Sequence, residues 1–196
     1  MILHDAVNKL REYADTMGMD DCDLLYQSKP ENERCQFATG EPMTTEFGGR
    51  ISEITTPESF TAKMHLENMY DAPLKSPKTR AAAMGALNSV AAFLMLVRKT
   101  GPCNSIFTDD CLSELVAHCK EKQVYIIGND ITDIPQTLSA DEADLVLING
   151  EAFLENATLE EIAEVLEMNK EFLLIGPNCY GLAALLHLPS WCPYGT

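Results

Sequence analysis

Two short apolar runs in the second half of the chain each end abruptly in a small polar loop that leads into a helical pattern. Residues 145–148 stop at the loop 149–151, and residues 172–175 stop at the loop 176–178. Continuous branched apolar runs of this kind are typical of parallel strands that helices cover on both faces. Residues 124–127 form a third such run. The pattern predicts an α/β fold with a small parallel sheet and helices on both of its faces.

The first part of the chain has many turn residues between short segments. Apolar residues recur at helical spacing from residue 2 to residue 17, and Gly18 is a natural helix end. The patterns that follow predict three strands and then one helix, at residues 23–27, 35–39, 50–54 and 58–68. Residues 1–75 are therefore predicted to form a small α+β unit.

A long helix is predicted to open the second part. Ser76 and Pro77 are a typical helix start, and an alanine-rich segment continues to residue 98, shortly before Gly101 and Pro102. Its small side chains would let another element approach closely. We place the boundary before this helix, so that residues 76–196 form the α/β lobe.

The charge distribution restricts the classes of partner. The formal net charge is −16, and residues 101–196 contain 16 acidic residues against three lysines and no arginine. Such a surface repels a phosphate backbone, so we expect no nucleic-acid partner. No apolar run approaches the ~20 residues that cross a bilayer, and the first residues lack the order of a signal peptide. We therefore expect no membrane partner and a cytoplasmic location.

The sequence lacks the common motifs of several enzyme and metal-site classes. Its seven cysteines include no C-x-x-C pair, so any metal site has to be assembled from distant positions. The glycine-rich phosphate loops of nucleotide enzymes and the G-x-S-x-G elbow of hydrolases are also missing. A nucleotide enzyme and a serine hydrolase are therefore disfavoured.

The polar loops after the three strands are the candidate site, because open α/β folds bind ligands at the carboxyl edge of the sheet. Asn129 lies in the first loop and Glu151, which could coordinate a cation, lies in the second. Cys179 would lie where a helix begins, and the helix dipole there favours a thiolate that binds metals or attacks electrophiles. Alternatively, Cys179 packs in a tight turn and Glu151 is a solvated acid beside an ordinary Asn-Gly turn.

Four motifs between residues 76 and 186 together carry a family resemblance. They are Ala-Ala-Ala-Met-Gly-Ala-Leu-Asn (81–88), an apolar strand ending in Asn-Gly (144–150), Glu-Asn-Ala-Thr-Leu (155–159) and Leu-Leu-Ile-Gly-Pro-Asn (173–178). Together they resemble the heavy-metal chelation family of prokaryotes, whose fold couples a small enolase-N-terminal-like unit to a Rossmann-like lobe. The resemblance implies that a cleft between the lobes is lined by Asn88, Asn149, Gly150, Asn156, Thr158, Gly176, Pro177 and Asn178.

Some of these residues also have a structural interpretation. Asn156 and Thr158 are typical caps of the helix that follows them, and Asn88 could bridge two helices instead of facing a cleft. The leading hypothesis is a binding protein that holds a small polar ligand or a divalent transition metal in the cleft, with Glu151 and Cys179 as metal ligands. The rival is an enzyme with Cys179 as nucleophile or Glu151 as general base, and a third hypothesis is an assembly protein that forms a homodimer.

Overall fold

The structure is a computed structural model and describes residues 1–168 and 170–196. The described residues form five α-helices and eight strands. They are α1 (Ile2–Met17), β1 (Asp23–Ser28), β2 (Glu41–Phe47), β3 (Arg50–Thr56), β4 (Ala62–His65), α2 (Pro77–Phe93), α3 (Thr108–Cys119), β5 (Val124–Ile127), β6 (Leu145–Asn149), α4 (Leu159–Glu167), β7 (Glu171–Ile175), α5 (Tyr180–Leu186) and β8 (Ser190–Trp191).

The strands form two separate four-stranded sheets. The first is antiparallel, with the order β3-β2-β1-β4, and the second is parallel, with the order β5-β6-β7-β8. Leu145 and Leu147 of β6 pack in one cluster with α3, whereas Val146 and Ile148 pack in the other cluster with α2, α4 and α5. Helices therefore cover both faces of the parallel sheet, and the predicted α/β fold is confirmed. Among the helices of the described residues, none is both long and apolar enough to span a membrane.

Helix α2 is buried between the two units and begins as predicted. The Ser76 side chain and the Thr79 side chain each bond the other's backbone N–H, which forms a capping box. Every residue of α2 from Arg80 to Ala92 except Ala82 is buried, and most of the apolar ones share one core cluster with residues of α1, β1, β2 and α5. A helix that is apolar all round is typical of such a central position. One core thus joins the segments on either side of residue 75.

Two glycines allow close contacts on opposite sides of this arrangement. A Cβ atom on Gly85 of α2 would lie 2.2 Å from Oγ1 of Thr45 in β2. A Cβ atom on Gly181 of α5 would lie 2.3 Å from the carbonyl carbon and oxygen of Leu87 in α2. Helix α2 therefore contacts the antiparallel sheet on one side and α5 on the other at distances that a larger residue would prevent.

Three local predictions are wrong. Residues 35–39 form an irregular segment with a turn instead of a strand, and residues 58–68 contain β4 and a single 3₁₀ turn (Leu66–Met69) instead of a helix. Residues 62–65 pair with β1, so sheet pairing overrides the local helical pattern there. Helix α2 ends at Phe93, before the predicted end at residue 98, because Met95 adopts a left-handed conformation with φ of 58°.

We expect Gly181→Ala to lower the free energy of unfolding by at least about 2 kcal/mol, because the added methyl group meets backbone atoms of α2 that cannot rotate away. Denaturant unfolding followed by circular dichroism measures this loss. Ala184→Gly in the same helix is the control and should cost only about 1 kcal/mol, the ordinary helix-propensity effect. A Gly181→Ala variant as stable as the wild type would contradict the close α2–α5 contact.

Candidate functional site

The loops that follow β5, β6 and β7 meet at the carboxyl edge of the parallel sheet. Asn129 Nδ2 donates to Oε2 of Glu151 over 2.8 Å, which joins the first loop to the second. A Cβ atom on Gly150 would lie 2.6 Å from Cβ of Asn178 and 3.0 Å from Sγ of Cys179, which joins the second loop to the third. The three polar loops that the sequence singles out are therefore spatial neighbours.

Glu151 is the buried charge of this edge and is only 4% exposed. Its Oε2 atom accepts hydrogen bonds from the Thr39 backbone N–H over 2.7 Å and from Asn129 Nδ2. Burial raises the pKa of the Glu151 carboxyl to about 7, although these hydrogen bonds act in the opposite direction, and the negative charge of Glu155 raises it further. No ion pair to Glu151 is present within 4 Å among residues 1–168 and 170–196.

Residues 35–39 lie over the edge, and we call them the strap. The carbonyl oxygen of Phe37 accepts from Nδ2 of Asn149 over 2.6 Å and from Nδ2 of Asn129 over 3.2 Å. The strap thus presents a carbonyl acceptor to two amides and an N–H donor to a carboxylate. The strap packs against the loops of the edge so closely that no room for a water molecule remains beneath it. The predicted open cleft is therefore closed by the strap in this structure.

Asn178 and Asn88 are both used in contacts between parts of the chain. Asn178 Oδ1 accepts from the Thr55 N–H over 2.9 Å, and its Nδ2 donates to the Thr55 carbonyl over 2.8 Å, so the side chain pairs with β3 as a backbone amide would. Asn88 Nδ2 donates to the Pro177 carbonyl over 2.9 Å, and its Oδ1 accepts from the Gly181 N–H over 2.7 Å. Asn88 therefore bridges α2 and the start of α5.

Asn156 and Thr158 have partners away from Glu151. Oδ1 of Asn156 accepts from NH2 of Arg80 over 2.7 Å, and this buried guanidinium also donates to the Leu154 carbonyl. Thr158 occupies the N-cap position of α4, but its hydroxyl donates to the Ala152 carbonyl instead of accepting from the helix. The predicted capping by these side chains is therefore wrong, because nearby buried groups compete for them.

Cys179 differs most from its prediction. It is fully buried, and burial raises the pKa of its thiol well above the usual range, whereas the sequence predicted a lowered pKa at a helix start. The helix α5 that begins there has only seven residues, so its dipole does not offset the desolvation. Gly176 has a φ of 90° and, with Pro177, turns the chain from β7 toward α5.

The described part of the chain contains no group of three or more His, Cys, Asp or Glu side chains placed to hold a metal ion. The site that the structure does assemble consists of Glu151, Asn129 and Asn149 beneath the strap. The role of the strap has no signal in the sequence, because the strap acts through the backbone groups of Phe37 and Thr39. Backbone donors and acceptors leave no signature in residue identity.

In comparisons with protein-family models, curated proteins and solved structures, nothing matches this chain. The resemblance to the heavy-metal chelation family therefore stays a prediction.

We expect Glu151→Gln to remove a pH dependence of stability. Because the pKa of Glu151 is raised in the folded state, the unfolded chain loses its proton first as the pH rises from 4.5 to 7. The wild type should therefore lose up to about 3 kcal/mol of unfolding free energy relative to Glu151→Gln across this window. Urea unfolding of both proteins at several pH values measures the difference.

The exposed neighbour provides the control for this experiment. Glu155→Gln removes one charge from the same loop but should keep most of the wild-type pH dependence across the window, because burial, the largest cause of the raised Glu151 pKa, is unchanged. A constant difference between Glu151→Gln and the wild type from pH 4.5 to pH 8 would show that Glu151 titrates as an ordinary surface acid.

Proposed function

We propose that the protein binds a small polar molecule at the carboxyl edge of its parallel sheet, in the place that the strap occupies here. The observation that carries this proposal is the buried Glu151 carboxylate, which accepts from Asn129 Nδ2 and from a backbone N–H instead of a cationic side chain. Asn149, two residues earlier in the chain, donates to the carbonyl of Phe37. Burying a carboxylate in this way is costly for folding, and such costs concentrate at binding sites.

The contacts of the strap indicate the chemistry of the ligand. Asn129 and Asn149 donate to a carbonyl oxygen, and Glu151 accepts from an N–H group, so the three side chains bind an acceptor and a donor side by side. A small molecule with an ammonium or amide N–H group next to a carboxylate or carbonyl oxygen offers the same pair. Amino acids and their amides are the simplest molecules of this class. The proposal keeps the expected cytoplasmic location.

Binding of the twenty common amino acids and of glycinamide, measured by isothermal titration calorimetry, tests this proposal. We expect saturable binding of at least one probe and a loss of about tenfold or more in Glu151→Gln, because a charge-assisted hydrogen bond becomes a neutral one. Glu155→Gln is the matched control and should bind as the wild type does. No saturable binding, or equal binding by Glu151→Gln and the wild type, would contradict the proposal.

The metal hypothesis is tested in the same format. The oxygens of Glu151 are the ordinary ligands of hard cations, whereas the buried thiol of Cys179 favours a soft transition metal only after it loses its proton. MnCl₂ and ZnCl₂ titrations, with Glu151→Gln and Cys179→Ala as variants, separate these cases. Saturable metal binding that both substitutions remove, with no binding of the organic probes, would replace the small-molecule proposal with the metal one.

A second candidate function is an enzyme in which Glu151 is the general base. The raised pKa of about 7 favours this role, because a base works best when its pKa lies near the operating pH. Incubation of bound amino acids in D₂O, followed by NMR, distinguishes the two functions. If Glu151 removes a carbon-bound proton, deuterium replaces that proton, and Glu151→Gln abolishes the replacement. If the protein only binds the amino acid, no deuterium is incorporated. The homodimer hypothesis stays a prediction.

A further inference from the structure

A second cavity, of about 430 Å³, lies between the segment after α2, helix α5 and the C-terminal segment. Its volume falls within the range of small-molecule sites. None of its lining residues belongs to the strap or to the three polar loops at the carboxyl edge. It is therefore a separate site, and the inference drawn from it does not depend on the proposed function.

Hydrogen bonds hold the two walls of this cavity together. Lys99 Nζ donates to the carbonyl of Cys192 over 2.5 Å and to the carbonyl of Pro193 over 2.8 Å. The backbone N–H groups of Thr100 and Gly101 both donate to the carbonyl oxygen of Thr196. These bonds fix the segment after α2 against the C-terminal segment, so the cavity is a defined feature of the fold.

The lining is mostly apolar and carries positive charge at one side. The apolar lining residues are Leu96, Val97, Ala183, Ala184, Leu188, Trp191 and Pro193. Arg98 and Lys99 supply the charge, and none of the lining residues is acidic. Neither cation forms an ion pair within 4 Å in the part of the chain that the structure describes.

Arg98 also lines an adjoining cavity of about 340 Å³, which contains Arg50 and Met95 and again has no acidic lining residue. Met95 is 80% exposed, so the apolar surface continues outside the cavities. Two neighbouring linings that contain three cations without an ion pair in the described part of the chain, and no acidic residue, are unexpected in a chain whose formal net charge is −16. Solubility alone does not account for a cationic rim around an apolar cavity.

We propose that this cavity binds a small amphipathic anion, with its apolar body between α5 and the segment after α2 and its acid group at Arg98. A guanidinium without an acidic partner can form paired hydrogen bonds with a carboxylate. The apolar walls gain by excluding water from a hydrocarbon body. A neutral alcohol of the same shape can accept only one uncharged hydrogen bond from Arg98 instead of the charge-assisted pair, and a cation is repelled.

The only tryptophan of the chain lines the cavity, so its fluorescence reports on binding. Sodium octanoate is the probe, and 1-octanol is the uncharged comparison. We expect octanoate to change the Trp191 emission saturably, and Arg98→Glu to weaken its binding by about tenfold or more. Ala184→Leu, which reduces the cavity from α5, should also weaken binding while thermal unfolding shows an intact fold.

Arg11→Glu is the matched control, because it makes the same charge change on α1, and it should bind octanoate as the wild type does. Calorimetry replaces fluorescence if the Trp191 emission does not change. The proposal is overturned if octanoate produces no saturable heat, if Arg98→Glu binds it as tightly as Arg11→Glu, or if 1-octanol binds equally well.

Discussion

The contact of helix α2 with both halves of the molecule is the constraint on which the rest of the structure depends. Gly85 lets α2 approach the antiparallel sheet, and Gly181 lets α5 approach α2 from the other side. Because α2 is buried on nearly every face between Arg80 and Ala92, it needs both partners at once. The two sheets are therefore held in one arrangement, which places β3 and the strap against the carboxyl edge of the parallel sheet.

This arrangement accounts for the unusual chemistry of the edge. Asn178 satisfies the backbone of Thr55 in β3, and Asn149 satisfies the backbone of Phe37 in the strap. Glu151 lies beneath the same strap and loses contact with water, which raises its pKa to about 7. Most of the polar residues at the edge thus hold the two units together. Glu151 and Asn129 differ, because packing alone does not require a buried carboxylate bound to a side-chain amide.

The sequence predicted the parts of the fold that depend on long, regular patterns. The strands β5, β6 and β7, the capped start of α2 and the helix end at Gly18 all match, because apolar runs and cap residues act locally. Prediction failed for residues 58–68, where pairing with β1 decides the conformation. The end of α2 was also missed, because the left-handed Met95 has no local signal.

The sequence predicted where the candidate site lies, but not the protonation of its thiol or its closure by the strap. The order of strands and loops brings residues 129, 150 and 178 together, as parallel topology requires. The raised pKa of the Cys179 thiol could not be predicted, because burial depends on packing that single residues do not encode. The same holds for the strap, whose contacts with Glu151 and Asn149 use backbone atoms.

The central claim is that the buried Glu151 carboxylate holds the strap in place through its hydrogen bond to the Thr39 N–H. The exchange rate of the Thr39 amide proton tests this claim most directly. NMR-detected hydrogen exchange should find this proton protected in the wild type and released about tenfold faster or more in Glu151→Ala, while the amides of β6 keep their rates. A Thr39 proton that exchanges at the rate of an unstructured peptide in the wild type, or equally slowly in both proteins, would contradict it.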